Sequence, residues 1–119
     1  MAVQSYRELV VWQRAMDLVL ETYQLTWQFP KEELYGLTSQ VRRSAVSVPS
    51  NIAEGQGRGV GAEFAHHLRI SQGSLQEVET QLILAERLQY IRPADLQPVL
   101  ATAAEVGRLN RGLQKTLPY

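Results

Sequence analysis

Apolar residues recur at spacings of three and four along four segments of the 119-residue chain, and no segment alternates like a strand. The first segment runs from about Tyr6 to Gln28, and the third from about Gly61 to Gln89. The second begins between Lys31 and Thr38, and the fourth follows Pro93, which suits a first helical turn. This pattern predicts an all-α, up-and-down antiparallel four-helix bundle, with residues 1–119 forming one domain.

The apolar stripes predict which side of each helix faces the core. Helix one has a main stripe of Leu9, Trp12, Met16, Val19, Leu20, Tyr23 and Trp27, widened by Val11, Ala15, Leu18 and Leu25. Helix two has Leu34, Leu37, Val41, Ala45, Val48 and Ile52. Helix three has Phe64, Ala65, Leu68, Leu75, Val78, Leu82 and Ala85, beside a second strip of Ile70, Leu84 and Leu88. Helix four has Leu96, Val99, Leu100, Ala103, Val106, Gly107, Leu113 and Leu117. Monomers rarely expose large apolar patches, so the extra width of helices one and three favours a homo-oligomer.

The stretch VSVPSNIAEGQGR, residues 46–58, places a proline inside the second helical pattern. Pro49 leaves the Ala45 carbonyl without its helical partner, while Ile52 continues the stripe beyond it. Helix two is therefore predicted to continue with a kink near Pro49.

Short side chains and glycines surround this proline. Ser47, Ser50 and Asn51 can bond freed backbone groups and let another helix approach closely, and Glu54 belongs to the same motif. Gly55 and Gly57 are predicted to supply the positive φ that often ends a helix. A phosphate-binding loop is disfavoured because no strand leads into the glycines and no Gly-Lys-Ser or Gly-Lys-Thr ending follows.

The residue types that carry catalysis or bind metals are scarce. The chain has no cysteine, which excludes disulfides, thiolate metal ligands and a thiol nucleophile. Glu63 and His66 form the one Glu-x-x-His spacing, whereas a di-iron bundle uses two, and no Gly-x-Ser-x-Gly turn exists. We therefore predict no enzymatic activity, no metal and no cofactor. The charged N-terminal residues predict neither a signal peptide nor a membrane span, which favours a cytoplasmic protein.

Charge alternates along a chain whose formal net charge is zero. Residues 1–37 and 63–99 each carry −2, and residues 38–62 and 100–119 each carry +2. In an up-and-down bundle each basic helix would lie between acidic ones, so a monomer is predicted to lack a broad basic face.

Helix four carries a basic line of Arg108, Arg111 and Lys115 at spacings of three and four. One interpretation is ordinary solvation and a favourable interaction with the negative end of the helix. The other is contact with nucleic acid or an acidic partner.

Two arginines of helix two are predicted to pair with carboxylates of helix three. Glu79 lies at the edge of the apolar stripe, so Arg42 and Arg43 are expected to bond Glu77 and Glu79 and to fix the helix register. A buried carboxylate with a shifted pKa is the less favoured alternative. Together with Arg58, these arginines are reserve candidates for nucleic-acid binding.

Three motifs resemble the family of four-helix bundle proteins encoded in intervening sequences of bacterial large-subunit ribosomal RNA genes. They are LVVWQRAMDL, FPKEELYGLTSQVRRSAVSVPSNIAEGQGR and EFAHHLRISQGSLQEVETQL, and they extend through about the first three quarters of the chain. A more distant resemblance is to the accessory protein of diversity-generating retroelements, which associates with a reverse transcriptase and nucleic acid. The resemblance implies a subunit of a ring-shaped homopentamer without enzymatic activity. Val60 stands where the family pattern predicts a Ser or Thr cap, which leaves Gly59 or Gly61 to cap helix three.

Two functions remain open from the sequence. The first is a non-catalytic oligomeric interaction module that binds RNA, DNA or a nucleic-acid-processing protein. The second is a structural or protein-binding scaffold with no nucleic-acid contact. The zero net charge favours weak nucleic-acid binding that depends on assembly and on salt.

Overall fold

Four α-helices contain most of the residues that the computed structural model describes, which are 5–59 and 61–119. These helices are α1 (Val10–Thr26), α2 (Leu37–Gly57), α3 (Ala62–Arg87) and α4 (Pro93–Lys115). Single 3₁₀ turns, Tyr6–Glu8 and Lys31–Glu33, precede α1 and α2, and the described ranges contain no strand. α1 and α3 each pack against both α2 and α4. The all-helical bundle is confirmed, whereas the up-and-down order and the kink near Pro49 stay predictions.

The start of α2 is set by a side chain that precedes the helix. The backbone N–H of Leu37 donates to Oε1 of Glu33 at 3.0 Å, which satisfies one of the free donors of the first turn. Thr38, the latest of the predicted start positions, lies buried inside that turn. Gly61 caps α3 with φ of 142°, as one of the two expected glycines; Val60 lies outside the described residues.

The core is built from side chains of all four helices. In α3, the side that was predicted to face the core does so. The main stripe of α3 is buried from Phe64 to Ala85. In α2, however, Leu34 was placed in the stripe and is exposed, because it precedes the first residue of the helix.

The inward side of α1 differs from the prediction. The residues that face the core are Val11, Ala15, Leu18, Thr22 and Leu25. Within the predicted stripe, Leu20 and Trp27 are 63% and 74% exposed, whereas Leu9, Trp12 and Val19 are partly buried against the core. Both sides of α1 are apolar, so periodicity alone could not decide which one turns inward. Leu20 and Trp27 thus do not face the core of a single chain, and burial of this second side of α1 by assembly stays a prediction.

α2 and α3 pack with their backbones close together, through small residues. A Cβ placed on Gly55 would lie 2.6 Å from Cβ of His67. Ser71 donates its hydroxyl hydrogen to the Val48 carbonyl at 2.9 Å, across the same helix pair. Close packing therefore explains why residue 55 is a glycine, whereas Gly55 was expected to help end the helix.

Helix α2 continues through Gly55 and Gly57, the two glycines that were predicted to end it. Its last residue is Gly57, and among the described residues the positive φ values that follow belong to Gly59, at 98°, and Gly61. The prediction that Gly55 and Gly57 adopt positive φ was therefore wrong. Both lie in the last turn of a helix that ends later than expected.

Candidate interaction surfaces

An apolar groove runs along the outside of the bundle between α1 and α2. It has a volume of about 340 Å³ and is lined by Tyr6, Trp12, Met16, Val19, Val46, Pro49, Ser50 and Ala53. Pro49 is buried and its ring contributes to the groove wall. We call this the apolar groove. Its α1 side combines Met16, which is 39% exposed, with Trp12 and Val19, which are partly buried against the core.

A second groove follows on the same side of the bundle and shares Val46 with the first. Its volume is about 500 Å³, and its lining residues are Tyr23, Leu34, Tyr35, Thr38, Ser39, Arg42, Arg43 and Val46. We call this the Tyr–Arg groove. No carboxylate is among these lining residues, so two guanidinium groups give the groove positive charge.

Arg42 turns toward α1, away from α3. Its Nε donates to Oγ1 of Thr26 at 2.8 Å, and its guanidinium carbon lies 4.6 Å from the centre of the Tyr23 ring. A guanidinium over an aromatic face at this distance is a favourable cation–π contact. The predicted ion pair between Arg42 and a carboxylate of α3 was therefore wrong, because hydrogen-bonding and aromatic partners on α1 hold its side chain.

The two carboxylates predicted to pair with arginines do not do so. Glu77 lines a third groove together with Arg43, but no ion pair joins them. Glu79 is half-buried and has no ion-pair partner among the described residues. Arg43 is exposed and likewise has no ion pair within the described ranges. It therefore remains available to an external anion.

Arg58 connects the end of α2 to the start of α3. It forms ion pairs with Glu54 and Glu63, each at 3.3 Å. Hydrogen bonds to Glu54 and then to Glu63 raise the pKa of Arg58 above its ordinary value. Because both terminal nitrogens contact carboxylates, Arg58 is less suited to an external anion than Arg43.

Asn51 links α2 to α3 through its side-chain amide. Nδ2 donates to the Ser47 carbonyl at 2.9 Å and contacts the Ser47 hydroxyl, while Oδ1 lies 3.1 Å from Nδ1 of His67. The Ser47 hydroxyl in turn lies 2.8 Å from that of Ser74 on α3. This network gives Asn51 a structural role between the two most closely packed helices.

The basic line of α4 is exposed but does not form one cluster. Arg108 lines a groove with Leu9 and Val10 on the α1 side, whereas a terminal nitrogen of Arg111 lies beside Gly107 on the α3 side. Lys115 is the last residue of the helix. None of the three cations has an ion pair with another described residue, so they remain available to anions from outside.

Tyr35 is a surface residue to which the sequence pattern assigns no role. It belongs to no apolar stripe, yet it is 93% exposed and lines the Tyr–Arg groove. The signal in the sequence was weak: a tyrosine directly before Gly36, in the turn that leads into α2. Only the packing of α1 against α2 brings it near Arg42 and Tyr23.

Other classes of site are not found in the part of the chain that the structure describes. No group of three or more His, Asp or Glu residues there is arranged to hold a metal ion. Within the same ranges, no helix combines the length and apolar character that crossing a membrane requires. The distinctive features are therefore the grooves and unpaired cations on the outside of the bundle.

By its structure the protein belongs to the class of all-helical bundles, and its grooves and exposed cations lie on the outer surface of the bundle. The particular family follows from its sequence: the chain belongs to the 23S rRNA-intervening sequence protein family, whose sequence model matches residues 7–112. The fold is similar to a crystal structure at 1.70 Å of a protein of unknown function from the S23 ribosomal protein family of Bacteroides thetaiotaomicron VPI-5482. That match has a TM-score of 0.81 and 23% sequence identity, and covers 89% of this chain and 96% of the other. A search of curated proteins found no match.

Proposed function

We propose that the chain is a non-catalytic interaction module that assembles with copies of itself and, once assembled, binds nucleic acid electrostatically. The observation that carries the assembly is the apolar groove between α1 and α2 together with the outward-facing Leu20 and Trp27. Contiguous apolar surface of this kind marks interaction sites on soluble proteins. A further copy of the chain is the partner that every preparation contains, and the family resemblance favours a ring of five.

Substitution of Met16 tests the assembly. Met16 is 39% exposed and lines the apolar groove, so Met16→Glu places a charge on the proposed interface without burying it in the core. Ile83→Glu is the matched control, since Ile83 is 38% exposed and lies on α3 outside both of its predicted apolar strips. Size exclusion with light scattering is expected to give an oligomer for wild type and Ile83→Glu, five times 13.4 kDa for a pentamer.

Two outcomes of this measurement contradict the assembly. One is a monomeric wild type at micromolar concentration. The other is a Met16→Glu protein that keeps the wild-type mass, which would move the interface away from the apolar groove. Circular dichroism of each variant establishes that the helices are retained.

The nucleic-acid contact is assigned to the basic line of α4. Arg108, Arg111 and Lys115 are exposed and have no ion pair within the described residues, and a ring would repeat them in every subunit. Phosphate contacts release counterions, so affinity is expected to fall with salt and to show little sequence preference. Because the chain has zero net charge, a single subunit exerts little long-range attraction.

Fluorescence anisotropy with single-stranded RNA and duplex DNA, at low and moderate salt, tests this contact. The double variant Arg108→Glu with Arg111→Glu is expected to abolish binding of duplex DNA and to weaken binding of single-stranded RNA. The control, Arg69→Glu with Arg87→Glu, makes the same change in net charge on exposed arginines of α3 and is expected to bind like wild type. Equal loss in both variants would show a general charge effect and no defined site.

The alternative function is a protein scaffold without nucleic-acid contact. The zero net charge favours it, because strong nucleic-acid binders usually carry a marked excess of positive charge. An assembled wild type that binds neither probe at low salt would establish this alternative.

A further inference from the structure

The turn before α2 holds Tyr35 in a defined position while leaving its ring in solvent. The backbone N–H of Gly36 donates to the Glu33 carbonyl at 2.9 Å, and that of Leu37 to the Glu33 carboxylate. The Tyr90 hydroxyl donates to the other carboxylate oxygen at 2.7 Å, which ties the turn to the chain between α3 and α4. The backbone on the C-terminal side of Tyr35 is thus fixed, although its side chain is 93% exposed.

The guanidinium groups of the same groove are positioned for an anion. Arg42 is oriented by Thr26 and by the Tyr23 ring, and its contact with Thr26 uses Nε alone. Neither terminal nitrogen has a hydrogen bond to a residue in the described ranges 5–59 and 61–119, so both can donate to a ligand. Arg43 follows on the exposed side and has no ion pair with a described residue. A carboxylate, Glu77, lines the neighbouring groove together with Tyr35 and Arg43, without forming an ion pair with Arg43.

We propose that the Tyr–Arg groove binds single-stranded nucleic acid, with a base stacked on Tyr35 and the adjacent phosphates held by Arg42 and Arg43. Aromatic rings beside a cationic groove are the usual means by which proteins bind single strands without sequence preference. The groove volume of about 500 Å³ is suited to a ligand of nucleotide size. Duplex DNA is a poorer ligand because its bases are stacked on one another and unavailable to a tyrosine.

An acidic peptide would use the arginines but not the exposed ring. The presence of Tyr35 therefore favours a ligand that has both a flat ring and an anion in each repeating unit. The inference rests on the nucleic-acid part of the proposed function and adds a site for single strands to the contact assigned to the α4 cations.

The test measures fluorescence anisotropy of labelled oligouridine about ten nucleotides long, a length within the range of known single-strand sites. Tyr35→Ala is expected to weaken binding by about 5- to 100-fold, and Tyr35→Phe, which keeps the ring, to change it by less than about twofold. Tyr119→Ala removes another exposed tyrosine and is expected to bind like wild type. Because Tyr35 and Tyr119 are exposed, their variants are expected to keep the fold, as circular dichroism will check.

Two further probes separate stacking from charge. With an abasic oligomer of equal length, Tyr35→Ala is expected to bind like wild type, because no base remains to stack. Arg43→Ala is expected to weaken both oligomers and to reduce the slope of log affinity against log salt by about 0.7, the effect of one phosphate contact on a single strand. Polyglutamate is expected to bind more weakly than oligouridine and to be unaffected by Tyr35→Ala.

Each result decides between the two sites. If oligouridine binding survives Tyr35→Ala and Arg43→Ala but is lost in Arg108→Glu with Arg111→Glu, the groove inference is overturned and the proposed function stands. If the reverse holds, the groove is the site and the α4 assignment fails. If wild type binds no nucleic acid at low salt, or binds polyglutamate as tightly as oligouridine, the groove inference is overturned as well.

Discussion

The substitution Gly55→Ala tests how closely the backbones of α2 and α3 must approach each other. Adding a methyl group there places a Cβ 2.6 Å from Cβ of His67 and 3.2 Å from a ring carbon of Phe64. Cβ of His67 cannot move aside as the end of a flexible side chain would, since it is attached directly to the α3 backbone. Gly55→Ala therefore forces the two helices apart or shifts one along the other.

The free energy of this change has two parts of opposite sign. Alanine in place of glycine inside a helix is favourable by about 1 kcal/mol, because it restricts the unfolded chain. Overpacking a tight contact costs about 1–3 kcal/mol. Gly73→Ala isolates the first part, since a Cβ at Gly73, in α3, would meet no atom within 4 Å. The two variants are therefore expected to differ by about 1–3 kcal/mol.

Thermal and urea unfolding followed by circular dichroism provide the measurement. At roughly 4 °C per kcal/mol for a chain of this size, Gly55→Ala is expected to melt about 4–12 °C below Gly73→Ala. Protein concentration must be the same in all samples, because assembly adds concentration-dependent stability. Equal melting temperatures for the two variants would refute the close approach as the reason for glycine at position 55.

Three further predictions concern the polar contacts. Hydrogen bonds from the first backbone N–H of α2 and then from Tyr90 lower the pKa of Glu33, so its stabilisation is present above the ordinary glutamate pKa and lost as pH falls through the lowered one. Wild type should thus lose more stability than Glu33→Gln between pH 7 and about pH 3 in urea titrations, and equal losses would contradict this. Asn51→Ala should cost about 1 kcal/mol in urea unfolding, through lost bonds within α2 and to His67, and an unchanged unfolding midpoint would argue against that network. Arg58→Ala should leave the melting temperature nearly unchanged, because its ion pairs are solvent-exposed; a large decrease would show that they hold α2 to α3.

Local features of the sequence predicted the helices well, because each signal acts within one or two turns. Pro93 begins α4 as expected, and the stripe from Phe64 to Ala85 is buried. In α3 only one side carries a long, closely spaced apolar row, so its inward side could be predicted. In α1 the outward side carries residues as apolar as the inward side, and Leu20 was therefore placed in the core when it is exposed.

The candidate site was harder to predict because its contacts join residues far apart in the chain. Charge complementarity predicted carboxylate partners on α3 for Arg42, but its observed partners on α1 are neutral, a hydroxyl and an aromatic ring. The apolar periodicity of a helix contains no information about polar or aromatic partners on another helix. Tyr35 lies outside any helix, so the pattern that located the core contained no information about it.

The positions of the small and large residues on the helices link the fold to the proposed functions. The α2–α3 contact uses glycine and serine, and α1 turns Val11, Ala15, Leu18 and Leu25 into the core. Met16 and Tyr23 are therefore left on the outer side of α1, where each lines one of two grooves that share Val46. If a second copy covers the groove at Met16, the interface reaches the edge of the Tyr–Arg groove and repeats that groove around the ring. Assembly would then supply several weak single-strand sites at once, and such multivalency compensates for the lack of net positive charge.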